Sequence, residues 1–247
     1  TSNRSGARFG PRAIREQSSL LWGYNNALQV APFERLRVVD YGDVEVVPVD
    51  IVATQRCIER DVREIVDAGK KIISLGGDHS ITLPLLRAHA RKYGPPAVIH
   101  FDAHPDTWDV EFSGHRYSHG TGFRRAIEEG LIDTTAYVQV GIRGPTTGPE
   151  DYTDAVRLGA RLMTSDDVFD RVIPAVLAEI RERVGTRPVY LSLDIDSIDP
   201  AFAPGTGTPE VGGFSRREIL RLVRGRAGLH VSGGDLVEVA PAYDPAN

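Results

Sequence analysis

Short apolar runs alternate with amphipathic stretches along almost the whole chain. The runs are nearly continuous rather than interrupted at every second position, which is typical of parallel strands covered on both faces. They predict strands at residues 36–39, 71–75, 97–101, 136–140, 189–193 and 230–234, with a weaker strand at 161–164. Between them, the apolar spacing predicts helices at residues 50–68, 81–93, 168–184 and 215–224.

This alternation indicates βαβ crossovers, so the expected fold class is α/β, a three-layer α/β/α arrangement with a mostly parallel central sheet. No internal repeat, low-complexity tract or linker rich in Pro, Gly or Ser divides the 247 residues. A chain of this length can form one large domain around a single core. We therefore expect one domain over residues 1–247.

Composition refines this picture mainly by excluding partners. The 29 basic and 34 acidic residues are well mixed and form no basic stripe, so nucleic acid is not an expected partner. No apolar run approaches the roughly 18 residues of a membrane span, and the sequence opens on no secretory signal, so no membrane is expected either. The single cysteine, Cys57, rules out an internal disulfide and fits a reducing compartment. We expect a cytoplasmic protein.

Polar clusters follow four of the predicted strands, at residues 76–80, 102–106, 194–196 and 235–238. In an open parallel sheet, ligands bind outside the carboxyl ends of the strands. Each cluster combines a carboxylate with an imidazole or with a second carboxylate, and three of them supply the candidate metal ligands. Like charges placed so close together are costly unless a cation offsets them. The candidate metal ligands are His79, Asp102, His104, Asp106, Asp194 and Asp196.

The spacing of these residues favours a shared site. Asp102, His104 and Asp106 stand at i, i+2 and i+4, so in an extended segment their side chains point to the same side. Four carboxylates and two imidazoles would satisfy two divalent ions, which lie about 3.5–4 Å apart in two-metal hydrolases. Oxygen and nitrogen ligands without a thiolate favour Mn²⁺ over structural Zn²⁺, although ligand type alone does not settle the metal.

Each cluster also has an ordinary structural explanation. An isolated Asp-x-Asp is more often a solvated turn, and an isolated Gly-Gly-Asp-His segment can be a strand-to-helix turn in which Ser80 caps the helix. The coincidence of three such clusters at strand ends favours the metal site. His100 lies inside a predicted strand and is interpreted as a core histidine.

Three long segments carry a family resemblance. GGDHS (76–80), DAHPD (102–106) and SLDIDSIDP (192–200) resemble the three signature motifs of the ureohydrolases, the arginase and agmatinase superfamily. APGTGTP (203–209) is more similar to agmatinases and related guanidino-acid hydrolases than to arginases. The similarity extends from RFGP (8–11) to VEVAP (237–241), nearly the whole chain. Such motifs are very specific for the superfamily and only weakly specific for the substrate.

The resemblance implies an arginase-like fold, two Mn²⁺ ions per chain and a hydroxide held between them. A metal lowers the pKa of bound water and so supplies a nucleophile near neutral pH. The implied ligands are Asp102 and Asp194 for both ions, His79 and Asp106 for one ion, and His104 and Asp196 for the other.

Three residues take catalytic or substrate-binding roles by the same resemblance. Asp106 would act as a general acid–base, moving a proton from the nucleophile to the leaving amine. His119, in YSHGT (117–121), is similar to a loop histidine that shuttles protons near the leaving group; taken alone, it would be a surface histidine. Glu238 is similar to the glutamate that pairs with the substrate guanidinium, a flat cation suited to two parallel hydrogen bonds with a carboxylate. Otherwise it is an exposed strand-end glutamate.

The expected reaction is hydrolysis of a guanidino compound to urea and an amine. Agmatine, which would give putrescine, is the first candidate, followed by 4-guanidinobutyrate and 3-guanidinopropionate, and then arginine. Asp109 and Glu111 could attract an ammonium tail, whereas Arg4, Arg8 and Arg116 could attract a carboxylate tail. The alternatives to this function are a non-catalytic regulatory homologue and a single-metal deacetylase of related fold.

The resemblance has two further implications. Family members are homo-oligomers, so a trimer or a hexamer is expected. Relatives normally have a strand before the first residue of this sequence and a helix after its end, so we expect a chain truncated at both ends.

Overall fold

The computed structural model describes residues 3–245. Six strands form one sheet in the order β1-β6-β5-β2-β3-β4, and every neighbouring pair is parallel. The strands are β1 Ile73–Leu75, β2 Ala97–Phe101, β3 Tyr137–Ile142, β4 Arg161–Thr164, β5 Val189–Asp194 and β6 Val231–Val237. The α-helices of the described residues are α1 Gly10–Ser18, α2 Pro32–Arg35, α3 Ile51–Asp67, α4 Thr82–Tyr93, α5 Gly122–Glu128, α6 Glu150–Arg157, α7 Ser165–Phe169, α8 Ile173–Val184 and α9 Arg216–Arg224.

Helices cover both faces of the sheet. Successive strand residues point to opposite faces, so consecutive apolar residues enter two separate hydrophobic clusters. One cluster joins the sheet to α3, α4, α5 and α6, and the other joins it to α7, α8 and α9. The predicted three-layer α/β/α fold with a parallel sheet is confirmed. The pairs of neighbours that divide between the clusters include Val98 and Ile99, Tyr137 and Val138, and Tyr190 and Leu191.

Local signals explain where some helices begin. Asp50 caps α3 by accepting a hydrogen bond from the Ala53 amide at 2.9 Å. Ser215 and Glu218 form a reciprocal capping box at the start of α9. Both helices lie close to the ranges that the apolar spacing predicts.

Two sequence predictions are wrong. Residues 36–39 form no strand: they pair with none of the strands described for residues 3–245, and Val39 is 79% exposed. β-propensity produces a strand only where a partner is available, and an apolar pattern does not reveal the partner. The single helix predicted over 168–184 is two helices, α7 and α8. Pro174 lies in the first turn of α8, where its missing amide costs nothing, and it would break a continuous helix.

The parallel sheet places all carboxyl ends at one edge. β1, β6, β5 and β2 are consecutive neighbours, so the four polar clusters that follow them meet there. No helix within residues 3–245 combines the length and apolarity that crossing a membrane requires. The single-domain organisation stays a prediction.

Candidate metal centre

A repeated turn shapes three of the polar clusters. In each, an aspartate at the strand end accepts a hydrogen bond from the amide two residues later, a local bond that favours turns over continued strand. Asp194 Oδ1 accepts from the Asp196 amide at 2.8 Å, and Asp102 Oδ1 accepts from the His104 amide at 2.6 Å. Asp78 does the same with Ser80 at 3.1 Å, which starts the turn that carries His79. The chain therefore bends within about three residues of each strand end and keeps these side chains at the sheet edge.

The first group of candidate ligands surrounds His79 Nδ1. This nitrogen lies 3.0 Å from Asp102 Oδ2, 2.9 Å from Asp106 Oδ2 and 3.2 Å from Asp194 Oδ2. It is buried, yet it forms no hydrogen bond of acceptable geometry with the described residues. A buried nitrogen that faces three carboxylate oxygens is the donor set that a divalent cation requires, so these residues fit a metal ion.

A second group adjoins the first. His104 Nδ1 lies 3.1 Å from Asp196 Oδ2 and 3.5 Å from Asp102 Oδ1. The two oxygens of Asp102 therefore face different groups, as a bridging carboxylate must. Asp194 faces the first group through Oδ2, and its Oδ1 accepts from the Asp196 amide, as Asp102 Oδ1 accepts from the His104 amide.

Burial makes the negative charges of this site unfavourable without a cation. Desolvation, together with the nearby Asp102, raises the pKa of Asp106 to about 7. Desolvation and the charges of Asp196 and Asp102 raise the pKa of Asp194 well above its ordinary value. A bound cation would reverse these shifts by stabilising the carboxylates.

Two of the candidate residues adopt a backbone conformation that residues other than glycine rarely use. Asp106 has φ +48° and Glu238 has φ +64°. Both side chains are buried. Such strain persists where the surrounding structure holds it, and it is concentrated at functional sites.

Glu238 follows β6 and lies above the first group. Its Oε1 accepts from the His79 amide at 3.0 Å, while Oε2 is buried and has no hydrogen-bond partner among the described residues. Burial, together with the nearby Asp78, raises the pKa of Glu238 to about 8. An unpaired buried carboxylate oxygen is costly unless a donor binds to it.

A cavity of about 670 Å³ opens above these groups. Glu238 and His119 lie on its wall. His79 and Asp102 do not line it, since they lie deeper and are almost completely buried. Four of the six candidate ligands also line the cavity, namely His104, Asp106, Asp194 and Asp196.

His119 begins a short turn after β2, held by a capping box between Ser118 and Thr121. Burial lowers the pKa of His119, so the imidazole is neutral near neutral pH. The Phe112 ring lies against it, with 5.6 Å between ring centroids. The structure therefore places His119 on the wall of the same cavity rather than on an open surface.

The residues considered for the substrate tail lie differently from the sequence-based expectation. Glu111 lines the cavity, but one of its oxygens accepts hydrogen bonds from the loop, including the Gly120 amide at 3.1 Å. Asp109 lies outside the cavity lining and pairs with Arg125 at 2.6 Å. Arg116 pairs with Asp109 and with a helix glutamate instead of facing the cavity. Arg4 and Arg8 also lie outside the lining, and each faces an aromatic ring.

Several supporting residues were missed by sequence reasoning. Ser192 Oγ lies 2.8 Å from His79 Nε2 and donates to Asp235 at 2.7 Å, which orients the imidazole. Asp235 belongs to a polar cluster and Ser192 to the motif of residues 192–200, but only the structure reveals the contact. Arg143, just after β3, gave no sequence signal, because the groups it binds are backbone carbonyls. Those carbonyls belong to Gly141, Asp196, Ser197, Glu210 and Val211.

Comparisons with known proteins agree with this geometry. The chain is 47% identical over 244 residues to a guanidinopropionase of Pseudomonas aeruginosa, covering 99% of this chain and 76% of that protein. It is 45% identical to a mitochondrial agmatinase of Gallus gallus, covering 99% and 72%. The structure of proclavaminate amidinohydrolase from Streptomyces clavuligerus superposes with a TM-score of 0.94 at 44% identity, covering 100% of this chain and 81% of that one. The Arginase family model matches residues 1–247, and at this level of similarity the chain belongs to the arginase family.

Proposed function

We propose that this protein is an amidinohydrolase that uses two Mn²⁺ ions per chain to hydrolyse a small guanidino compound to urea and an amine. One observation carries the proposal: two groups of candidate metal-binding side chains share Asp102 beneath a cavity lined by Glu238, whose Oε2 has no hydrogen-bond partner among the described residues.

The metal ions have a defined set of ligands in this proposal. Asp102 and Asp194 would be shared by both ions. His79 and Asp106 would complete one ion, while the pair of His104 and Asp196 would complete the other, and this donor set favours Mn²⁺. When bound, the ions would supply Lewis acidity and a water of lowered pKa as the nucleophile.

Glu238 would bind the guanidinium. Its Oε2 is buried without a partner, whereas Oε1 is already bonded to the His79 amide. A guanidinium N–H would satisfy Oε2, and its positive charge would favour ionised Glu238 despite burial. The strained backbone at Glu238 is consistent with a residue that is held in place for binding.

Proton transfer would use Asp106 and His119. Departure of the amine requires a proton, because a neutral amine is a far better leaving group than its anion. Asp106 and His119 both line the cavity, so both would be close to a guanidino group bound there.

Agmatine is the first candidate substrate. Apart from the candidate ligands and Glu238, the acidic residues among the described residues that line the cavity are Glu111 and Glu210, and none of the lining residues is Lys or Arg. A negative lining favours a cationic tail over a carboxylate tail. The agmatinase relative, at 45% identity, supports the same choice.

A guanidino acid is the second candidate. Asn3 also lines the cavity, and its amide can donate hydrogen bonds to a carboxylate, whereas the hydroxyls of Thr147 and Thr208 already donate to Asp151 and Asp196. The guanidinopropionase relative, at 47% identity, favours this alternative.

We also propose a cytoplasmic homo-oligomer, a trimer or a hexamer. The location rests on the single cysteine. Assembly is supported by apolar side chains in residues 20–49, such as Trp22, which is 92% exposed.

A urea-release assay tests the proposal. The Mn²⁺-loaded protein is offered agmatine, 4-guanidinobutyrate, 3-guanidinopropionate and arginine, and we expect the highest kcat/KM with agmatine. Higher kcat/KM with either guanidino acid would replace the first candidate by the second. Absence of urea from every compound, in protein shown to hold two Mn²⁺ ions, would refute the proposed function.

A further inference from the structure

His100 lies in β2 two residues before Asp102, and its side chain is completely buried. Its Nε2 lies 2.7 Å from Asp102 Oδ2. This oxygen is also the one that lies 3.0 Å from His79 Nδ1 in the first group of candidate ligands. His100 therefore contacts one side of the carboxylate that the two groups share, without lining the cavity itself.

The neighbouring strand determines which ring nitrogen of His100 carries the hydrogen. Gln139 Nε2 donates to the Tyr137 hydroxyl oxygen at 2.8 Å and to the Pro105 carbonyl at 2.6 Å. The Tyr137 hydroxyl, 3.2 Å from His100 Nδ1, is then free to donate to that nitrogen. An accepting Nδ1 leaves the hydrogen on Nε2, where it donates to Asp102.

This chain of bonds distinguishes His100 from a histidine that only fills space. Aromatic rings surround it, and the Phe123 centroid is 4.1 Å away, so a phenylalanine would pack in its place. Burying an imidazole is costly unless its nitrogens are bonded. Both nitrogens of His100 are bonded, and the bonds lead from Gln139 to the metal-binding turn.

We propose that His100 is a positioning residue: oriented by Tyr137 and Gln139, it donates to Asp102 and fixes the carboxylate that would bridge the two ions. The proposal rests on the metal-dependent function proposed above. Partners that orient a metal-binding carboxylate typically change metal affinity by about 10–100-fold when they are removed.

The test is a Mn²⁺ titration of metal-free protein, with free Mn²⁺ measured by electron paramagnetic resonance. His100→Phe keeps a ring and removes the donor, so we expect Mn²⁺ affinity to fall by about 10–100-fold. His100→Gln retains an N–H donor of similar reach and should recover most of that loss. At saturating Mn²⁺, KM should stay near the wild-type value in both variants, because His100 does not line the cavity.

Tyr137→Phe supplies a second, milder variant that preserves packing even if His100→Phe does not fold. It should weaken Mn²⁺ binding less than His100→Phe, and it should add no further loss in the double variant, because Tyr137 acts through His100. His89→Leu is the matched control. It removes another completely buried imidazole, whose Nδ1 lies 2.8 Å from the Leu85 carbonyl, so it should lower Tm and leave Mn²⁺ affinity unchanged.

Two results would overturn the inference alone: wild-type Mn²⁺ affinity in His100→Phe, or equal losses in His100→Phe and His100→Gln. Additive losses in the double variant would do the same, because Tyr137 would then act independently of His100. A wild-type protein that binds no Mn²⁺ would refute the metal-dependent function and this inference together.

Discussion

The carboxyl edge of the sheet and the segment of residues 20–49 place their side chains in opposite ways. At the sheet edge, charged groups such as Asp102 and Asp196 are only 1% exposed. In the segment, Trp22 and Val49 are 92% and 96% exposed. Burying charge and exposing large apolar side chains are both unfavourable. The first arrangement is explained if cations bind, and the second if another protein surface covers the segment.

The sheet edge therefore needs cations near its buried charges, whereas the segment needs another protein surface against its exposed apolar side chains. The charged partners of the carboxylates at the sheet edge are histidines, because no Lys or Arg among the described residues approaches these carboxylates within salt-bridge distance. Internal packing does not cover the segment, since most of its residues lie outside both hydrophobic clusters. Perturbing one region should leave the other unchanged.

Metal removal should have the largest effect. Dialysis against a chelator should abolish urea release, and Mn²⁺ should restore it better than Mg²⁺ or Ca²⁺, because the donor set mixes carboxylates with imidazoles. Metal binding to the folded state should also raise Tm. Proteolytic cleavage within residues 20–49 serves as the control and should not respond to metal. Full activity in metal-free protein would contradict the two-metal interpretation.

His119→Asn should lower kcat by about 10²–10⁴-fold, the range typical of one acid–base group, while both metal ions stay bound. The structure places His119 on the cavity wall and outside both groups of candidate ligands, so its loss should not alter metal content. Steady-state kinetics combined with metal analysis tests this. Loss of an ion would show that His119 is a ligand.

Glu238→Gln should lower kcat/KM by about 30-fold to several thousand-fold, since losing a buried charge-assisted contact costs roughly 2–5 kcal/mol. Gln keeps the shape and can still accept from the His79 amide. Metal content should be unchanged, as measured by elemental analysis. Near-normal urea release would refute the role of Glu238 in guanidinium binding.

The same substitution should stabilise the metal-free protein at high pH. The pKa of Glu238 is raised to about 8 in the folded chain, from an ordinary value near 4.5, so the folded state holds a proton that the unfolded state has lost. The free energy of unfolding of the wild type should therefore fall as pH rises between those values. Glu238→Gln removes this dependence. The free energy of unfolding of the variant, relative to that of the wild type, should therefore rise between pH 4.5 and about pH 8 and then level off. If the free energy of unfolding, measured by chemical denaturation, depends on pH in the same way in the wild type and in Glu238→Gln, the raised pKa of Glu238 is contradicted.

Much of the fold could be predicted because its signals are local. Residues 161–164 form β4 as predicted, and β2 matches residues 97–101. Pro174 lies in the first turn of α8 and indicates a break before it, but the apolar spacing continues on both sides of that break and predicts a single helix. Residues 36–39 have the composition of a strand, and composition does not specify a pairing partner.

The candidate site likewise contains residues that the sequence reveals and residues that only the structure reveals. The ligands and Glu238 occur in motifs whose spacing and position after strands can be read from the sequence. Arg143 could not be found, because backbone carbonyls carry no residue identity and their convergence depends on the fold. The sequence indicates only a core histidine at position 100. The bond from His100 to Asp102 depends on the side-chain rotamers of both residues, which the sequence does not show.

The smallest effect on catalysis should come from the exposed segment. Leu21 and Trp22 are 75% and 92% exposed, and we expect the double variant Leu21→Ser, Trp22→Ser to shift the native mass towards smaller assemblies. Since surface substitutions usually change stability by less than about 0.5 kcal/mol, the chain itself should remain folded. Every candidate ligand comes from one chain, so kcat/KM per chain should be unchanged.

Light scattering coupled to size-exclusion chromatography measures the mass, and Val172→Ser, at a 70% exposed valine outside the segment, is the matched control. An unchanged mass in the double variant would show that an intermolecular contact does not explain the exposed segment. A loss of both mass and activity would instead show that the two regions are coupled, which would break the comparison itself.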